Sequence, residues 1–457
     1  MHNVWAVATN TVKQAVRMRL AVVFVLLLML LIPVMGFSVT GDGTLKGRLQ
    51  TFVSYSLSLT SFLLCLLTIA VSIYSLTSDI SEKQIYTVIT KPIRRFELLF
   101  GKLLGVILLN TGLLVFFSAL IYGITVYTPS VGKTSKNELR QAENEFFTAR
   151  AGLVPAEPDV SGEVRTAFDK LAQEGRLPEL FRGLSRKEIF ARLTKQAKLR
   201  SRAANVGQEL IWEFDNVKPL DPNQSLFIRF KYDVSVTPPD LQIYGRWWAG
   251  DIRQVRYGQP IVTGFYEFEN KDLIRTSHEI EVPADVIAPD GYLAVGFLNP
   301  PLNQTVVIFP LEGGLEVLYK ADTFTANFIR AVLLVLLRLI ILAALGVLAS
   351  TFLSFPVALL LCMVIFFTAN FSGFVLESFD YLSENISSIY KYTLRPIIHL
   401  LPQFDKYNPT KYLVGARLLG WPVLAKAAAL MVLVKAVLLM LLAIIVFSRR
   451  EIAKITV

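Results

Sequence analysis

Residues 20–39 of this 457-residue chain are LAVVFVLLLMLLIPVMGFSV, a run without a single charged side chain. At about 1.5 Å per residue, a helix of this length crosses a hydrocarbon core of about 30 Å. Pro33 is tolerated near the end of such a helix. A cleaved signal peptide would have a shorter apolar run and an A-x-A site after it. The stretch therefore predicts a first membrane helix.

Five further runs are apolar and almost free of charged residues: residues 52–76, 103–127, 324–353, 356–376 and 423–447. The whole chain is 53% hydrophobic and only 18% charged, which excludes a purely soluble enzyme. Only Ser354 and Phe355 separate the fourth run from the fifth, and Pro356 suits the first turn of a helix. We therefore predict an α-helical polytopic membrane protein with six transmembrane helices, the fourth and fifth forming a tight hairpin.

The basic residues predict the orientation of these helices. Residues 1–19 form a predicted amphipathic interfacial helix that ends in Lys13, Arg17 and Arg19, and further basic residues lie in 78–102 and after the last span. Such ends are cytoplasmic under the positive-inside rule. With six spans, both termini are then cytoplasmic, the domain at 128–322 is extracytoplasmic, and residues 377–422 form an outer loop.

Charge and reactive residues limit the possible functions. Residues 128–322 carry 24 Lys and Arg against 27 Asp and Glu, a net charge of −3, which leaves +13 beside the spans. That distribution favours membrane lipids as partners and argues against nucleic acid. Cys65 and Cys362 lie inside apolar runs, and the three histidines are far apart in sequence. No catalytic residue, disulfide framework or metal site is therefore predicted.

The region at 128–322 contains two kinds of sequence pattern. Residues 135–202 are charged, with apolar residues at helical spacing, and are predicted to be helical. Residues 209–319 consist of short alternating runs separated by turn residues, a pattern typical of a β-sandwich. The sequence therefore predicts an α+β domain inserted between the third and fourth membrane helices.

Residues 78–102, SDISEKQIYTVITKPIRRFELLFGK, join the second and third spans. This stretch resembles the first cytoplasmic loop of ABC-2 type permeases. The pattern is matched by Glu82, Thr87, Pro92, Arg95, Gly101 and Lys102, whereas Tyr86 stands where a glycine is common. Residues 349–358 resemble the family's hairpin between the fourth and fifth spans, and residues 447–451 resemble its ending.

In the resembled family, a short helix in this loop sits in a groove of a separate ATPase subunit and passes motion to the spans. The resemblance implies that the ATPase is contacted by Glu82, Lys83, Tyr86, Thr87, Thr90, Lys91, Pro92, Arg94 and Arg95. The residues alone leave an alternative open, namely an ordinary basic loop at the membrane interface. Against it, Ile85, Val88 and Ile89 would form one apolar helical face suited to docking.

The resemblance implies a permease subunit of an ABC transporter, acting as an exporter in a bacterial plasma (inner) membrane. The expected partners are a cytoplasmic ABC ATPase and a second permease subunit, identical or different. ATP and Mg²⁺ would bind in the ATPase, and no cofactor or enzyme activity is expected of this chain. Gly132-Lys133-Thr134 lacks the P-loop's earlier glycine, because Tyr127 stands there. The alternative is a membrane-anchored binding or scaffold protein that recognises envelope polymer.

Two pairs of side chains are candidate ligand contacts. Arg338 and Lys435 lie well inside the fourth and sixth spans, where a cation should face a cavity or a partner. They are predicted either to contact an anionic substrate or to bond to backbone carbonyls or snorkel. Trp247 and Trp248 are predicted either to offer a ligand platform or to lie in the core of the domain, as strand aromatics more often do.

Overall fold

The computed structural model describes residues 2–81, 94–131, 135–175, 181, 186–220, 224–258, 263–380, 393, 396, 398 and 400–449. The chain divides into two compact units. The first combines Met1–Ala149 with Thr323–Val457, and the second is Arg150–Asp322.

The helices of the described chain, in order, are α1 (His2–Val16), α2 (Arg19–Ser38), α3 (Leu45–Ser81), α4 (Arg95–Val131), α5 (Lys136–Glu145), α6 (Ser161–Gln173), α7 (Arg186–Arg200), α8 (Ile252–Arg256), α9 (Phe324–Ser350), α10 (Phe355–Asp380), α11 (Pro409–Val414) and α12 (Trp421–Arg449). Helix α12 contains a π-helical stretch at Ala429–Ala436. Short 3₁₀ turns lie at Ala284–Val286 and Pro301–Asn303.

Six of these helices, α2, α3, α4, α9, α10 and α12, are long and apolar enough to cross a membrane, which confirms the six predicted spans. Helices α3 and α4 have 37 residues each, so each is about 55 Å long and continues beyond a hydrocarbon core. Both are longer than the apolar runs 52–76 and 103–127. Helix α9 ends at Ser350 and α10 begins at Phe355, which confirms the tight hairpin.

The N-terminal helix α1 packs along α4 through small residues. A Cβ atom on Gly101 would lie 2.7 Å from the Cβ of Val7, and one on Gly105 would lie 2.6 Å from the carbonyl oxygen of Ala8. The Gly-x-x-x-Gly spacing therefore lets the two backbones approach closely, as small residues do between membrane helices. The amphipathic helix predicted at 1–19 thus has a protein partner along one face.

The strands of the described chain are β1 (Thr148–Leu153), β2 (Ala203–Ala204), β3 (Glu209–Phe214), β4 (Leu226–Phe230), β5 (Asp233–Val234), β6 (Gln242–Gly250), β7 (Tyr266–Leu273), β8 (His278–Val282), β9 (Leu293–Leu298), β10 (Val307–Ile308) and β11 (Leu315–Thr323). They form two four-stranded sheets, ordered β1-β11-β4-β8 and β3-β9-β6-β7, and a small sheet β2-β10-β5. The registered pairs within them are antiparallel.

One apolar core joins the two larger sheets. Phe230 on β4 lies 4.4 Å from Trp247 on β6, measured between ring centroids, and Phe297 on β9 lies 4.8 Å from the same indole. Val317 on β11 belongs to the same buried cluster. Two antiparallel sheets packed face to face in this way match the predicted β-sandwich.

The segment predicted to be helical, 135–202, is more varied than its sequence suggested. Helices α6 and α7 pack through stacked rings of Phe168 and Phe190, 4.6 Å apart, as expected for helical spacing. Residues Thr148–Leu153, however, form a strand because they add to the edge of a sheet. Helix α5 belongs to the first unit, where Phe146 just after it is fully buried, so the compact inserted unit begins at Arg150 rather than at 128.

Candidate functional site

Helices α3 and α4 lead into the 78–102 loop from its two sides. Seven of the nine residues predicted to contact an ATPase, Glu82, Lys83, Tyr86, Thr87, Thr90, Lys91 and Pro92, lie outside the described residues. Arg94 and Arg95 are described, and both side chains are exposed where α4 begins. The structure therefore defines the base of this loop.

A buried ion pair closes that base. The ammonium of Lys102 lies 2.6 Å from the carboxylate of Asp79, and the Lys102 side chain is only 1% exposed. Lys102 also donates to the carbonyl oxygen of Ser75 at 2.6 Å and to Oε1 of Gln14 at 3.3 Å. Gln14 in turn donates to Oγ of Ser78 at 2.8 Å. Helices α1, α3 and α4 are therefore tied together at the point where the loop leaves them.

The sequence pattern assigns no role to Asp79. The apolar run of the second span ends at residue 76, and Asp79 follows it in the 78–102 loop. The usable signal was Lys102, an ammonium at the start of an apolar run, because a buried cation requires an acceptor nearby.

Arg95 connects the same loop to the last span. Its Nη1 donates to the carbonyl oxygens of Phe447 at 3.0 Å and Ser448 at 2.7 Å, at the C-terminal end of α12. The last carbonyls of an α-helix have no partner within it, and a cation there also interacts favourably with the helix dipole. Arg94 makes a different local contact, because its backbone N–H donates to Oε2 of Glu97 at 3.0 Å.

The residues 400–420, here called the 400–420 segment, pack against the spans of the first unit. Arg338 in α9 donates from Nη2 to the carbonyl oxygens of Phe404 at 2.5 Å and Tyr407 at 2.8 Å. Lys435 in α12 donates to the carbonyl oxygen of Leu401 at 2.6 Å. Arg338 and Lys435 therefore both bond to backbone carbonyls, as one of the two predicted alternatives had it.

A second side chain of α9 and one of α3 bind further backbone groups of the 400–420 segment. Asn327 in α9 donates to the carbonyl oxygen of Arg417 and accepts from the N–H of Leu419, both at 2.8 Å. Gln50 in α3 donates to the carbonyl oxygen of Val414 at 2.7 Å. Irregular backbone among membrane helices is tolerated only where protein groups or water satisfy it. Side chains of α3, α9 and α12 therefore bind the backbone of the segment on both sides of α11 and at its last residue.

The predicted ligand platform on the sandwich is not supported by its geometry. Trp247 is fully buried in the core between the sheets, and Trp248 is 8% exposed on the other face of its sheet. The indole N–H of Trp248 donates to Glu209. Strand alternation does place the two rings on opposite faces, but the second face is covered as well, by Ala288 and Tyr292. Neither ring is available for stacking with a ligand.

The surface of the inserted domain contains an arginine held between two carboxylates. Arg253 donates from Nη2 to Asp251 at 2.8 Å and from Nη1 to Asp290 at 2.7 Å, with its guanidinium 3.9 Å from the Tyr292 ring centroid. The hydrogen bond from Arg253 lowers the pKa of Asp290 to about 2 and also lowers the pKa of Asp251. These contacts fix helix α8 and explain part of the domain's expected pH dependence.

Comparison with known protein families bears directly on the first unit. A family model described as ABC-2 family transporter protein matches residues 5–141. This part of the chain is similar to the ABC-2 family of transporter proteins. No curated protein and no solved structure matched the chain.

The matched residues run from α1 into α5, so they include the α1–α4 packing and the Asp79–Lys102 pair. With six apolar helices, the chain is a multi-pass membrane protein. Among the described residues, no group of three or more His, Cys, Asp or Glu could hold a metal ion.

Proposed function

We propose that this chain is the permease subunit of an ABC-2 type exporter, driven by a separate cytoplasmic ABC ATPase. The proposal is supported by the ABC-2 match over residues 5–141 and by the six apolar helices. Two permease subunits and two ATPase subunits would form the transporter. ATP and Mg²⁺ would bind in the ATPase, and this chain's residues would receive and transmit its movement.

The observation that carries the proposal is the way the base of the 78–102 loop is fixed. At the base of the loop, Lys102 contacts α1 and α3 from its position in α4. Arg95 bonds to the C-terminal end of α12. A movement of the loop caused by an ATPase would therefore act on the spans α3, α4 and α12 together. An ordinary interfacial loop has no need of such fixed ends.

The proposed orientation places both termini in the cytoplasm and the domain Arg150–Asp322 outside the plasma membrane of a bacterium. Basic residues at both ends of the chain support it, namely Lys13, Arg17 and Arg19 before the first span and Arg449 at the end of the last. An even number of spans returns the chain to the side on which it began.

Copurification tests the function. The full chain carrying an affinity tag, co-expressed with candidate ABC ATPases and extracted in mild detergent, should retain one of them and add ATP hydrolysis to its membranes. The charge reversal Arg95→Glu should reduce this hydrolysis while the chain still inserts, because it removes the link to α12. Arg246→Glu, an exposed arginine of the inserted domain in a surface ion pair, is the matched control. Absence of any ATPase from the purified protein would contradict the proposal.

A further inference from the structure

A cavity of about 240 Å³ lies among α3, α9, α10 and the 400–420 segment, within the first unit. Its polar lining includes hydroxyls of Ser58, Ser61 and Thr410, the amide of Asn370 and the guanidinium of Arg338. At roughly 30 Å³ of liquid volume per water, the space holds a group much larger than one water molecule. Lys435 does not line this cavity, so the two cations of the predicted pair do not share it.

Arg338 has hydrogen-bonding capacity to spare in this cavity. Its side chain is 9% exposed, and both hydrogen bonds that it makes to described residues leave from the single nitrogen Nη2. Its Nε is fully buried without an acceptor among the described residues. A guanidinium has five N–H donors, and a buried charged donor without a partner is costly. The Nη1 donors of Arg338 therefore favour an acceptor from outside the described residues.

The nearest acidic group does not fill that role. Asp405 interacts electrostatically with Arg338, but its described hydrogen bond is with Oγ of Ser372, at 2.7 Å. No ion pair within 4.0 Å joins Arg338 to a carboxylate among the described residues. An anionic oxygen complements the charge of Arg338 and can accept from Nη1, which makes neither of the two hydrogen bonds to described residues.

The remaining lining adds a polar floor and an aromatic rim. Oγ of Ser58 lies 3.2 Å from Oγ1 of Thr410, and Asn370 uses its Nδ2 in a bond to the carbonyl oxygen of Phe366. The ring of Phe62, which is 39% exposed, lies 6.0 Å from the ring of Phe366. An anionic group would meet hydroxyls and the guanidinium, whereas an attached hydrocarbon chain would pass the phenyl rings.

We propose that this cavity binds the oxyanion headgroup of an amphiphile, phosphate or carboxylate, at Arg338, with its hydrocarbon chain leaving past Phe62. The site goes beyond the proposed function, because binding needs only the helical unit and no ATPase. The headgroup could belong to a membrane lipid or enter as a free oxyanion, and the two sources differ in whether an attached chain is needed. The proposal commits to the amphiphile, since the aromatic rim has no role for a free ion.

The test uses the purified full chain in a nonionic detergent and follows its thermal unfolding. Dodecyl phosphate is titrated beside two controls. Inorganic phosphate supplies the anion without a hydrocarbon chain, and dodecyltrimethylammonium supplies the same chain with a cationic headgroup. Dodecyl phosphate should raise the unfolding temperature saturably, and neither of the other compounds should do so at the same concentrations. Equal effects of inorganic phosphate would overturn the amphiphile assignment, and equal effects of the cation would overturn the role of Arg338.

Variants locate the site without disturbing the bonds from Arg338 to the 400–420 segment. Ser61→Val and Asn370→Leu each remove a polar group from the lining, so the apparent Kd for dodecyl phosphate should rise about tenfold. Thr60→Val is the matched control, because Thr60 is buried next to Ser61 in α3 but does not line the cavity. Unchanged affinity in both cavity variants, or the same loss in Thr60→Val, would overturn the proposal.

Discussion

The ammonium of Lys102 lies 2.6 Å from the carboxylate of Asp79, so a buried ion pair joins the last turn of α3 to the early part of α4. The 78–102 loop begins and ends within a few residues of this pair. Its two ends are therefore fixed to each other and to α1 through Gln14. In the proposed function, this arrangement turns a contact at the loop into a movement of several helices.

Removing one member of this pair should destabilise the protein strongly. Asp79→Asn leaves the Lys102 ammonium buried without its counter-charge, which costs about 3–5 kcal/mol, whereas replacing both partners with apolar residues is often nearly neutral. We expect a large fall in the unfolding temperature for Asp79→Asn and recovery in the Asp79→Leu, Lys102→Met double variant. Thermal unfolding in detergent measures both. A single variant as stable as the parent would show that the pair contributes little.

The close packing of α1 on α4 predicts a position-specific effect of added methyl groups. Gly105→Ala would bring a Cβ to 2.6 Å from the carbonyl oxygen of Ala8, and such overpacking costs about 1–3 kcal/mol. Gly112→Ala in the same helix meets nothing within 4 Å and should be neutral or stabilising, because alanine favours helix over glycine by about 1 kcal/mol. The difference in unfolding temperature between the two variants checks the packing. Equal stability would contradict it.

The 400–420 segment should become more open when its cationic anchors are removed. Arg338→Met removes the donor to the carbonyl oxygens of Phe404 and Tyr407, and Lys435→Met removes the donor to that of Leu401, at about 1–3 kcal/mol for each buried carbonyl left unsatisfied. Amide hydrogen exchange of peptides from this segment should therefore accelerate about tenfold or more, and more for Arg338→Met. Lys426→Met, at an exposed lysine of α12, is the control. Unchanged exchange in both test variants would show that other contacts hold the segment.

The inserted domain should fold as a fragment and lose stability in acid. The fragment Thr148–Asp322 keeps β1 and the core between the sheets, whereas a fragment from residue 128 would also expose Phe146 and Phe147. The pKa of Asp290 is about 2 in the folded domain, below its unfolded value near 3.9. The contribution of Asp290 to the stability of the domain is therefore present above pH 4 and is lost as the pH falls towards 2.

Two variants of the fragment isolate the contribution of Arg253. Arg253→Met removes the bonds to Asp251 and Asp290, so the midpoint of urea unfolding should fall at pH 7 and depend less on pH between 4 and 2. Arg256→Met, which removes only a 3.4 Å surface pair with Glu213, should change little. If the two variants behave alike, the pH dependence comes from other carboxylates.

The parts of the fold that depend on local pattern were accessible from the sequence. Apolar runs identified the six spans, because a long apolar run is stable in a membrane whichever protein segment it contacts. Strand alternation indicated the sandwich, whose two larger sheets share a core. The hairpin was predicted from the two residues between the apolar runs and from Pro356, which suits a first turn, and the observed link between α9 and α10 is Thr351–Ser354.

The parts that depend on distant partners were not accessible. The ends of α3 and α4 are polar, yet they stay helical because Asp79 and Lys102 satisfy each other across 23 positions of sequence. Thr148–Leu153 has no strong strand pattern and becomes a strand only by pairing at a sheet edge. Trp248 is buried because a second cluster covers the outer face of its sheet, which alternation within β6 cannot reveal.

Site-directed cross-linking tests most directly the central claim that the 78–102 loop contacts an ABC ATPase. In a background with Cys65 and Cys362 replaced by alanine, a single cysteine is placed at Tyr86 in the loop or at Thr40, an exposed residue between α2 and α3. The cells co-express the ATPase that copurifies with the chain, and a short bifunctional reagent is added to their membranes. We predict a cross-linked product of one permease and one ATPase from Tyr86→Cys and none from Thr40→Cys. No product from Tyr86→Cys, or equal product from both positions, would contradict the account.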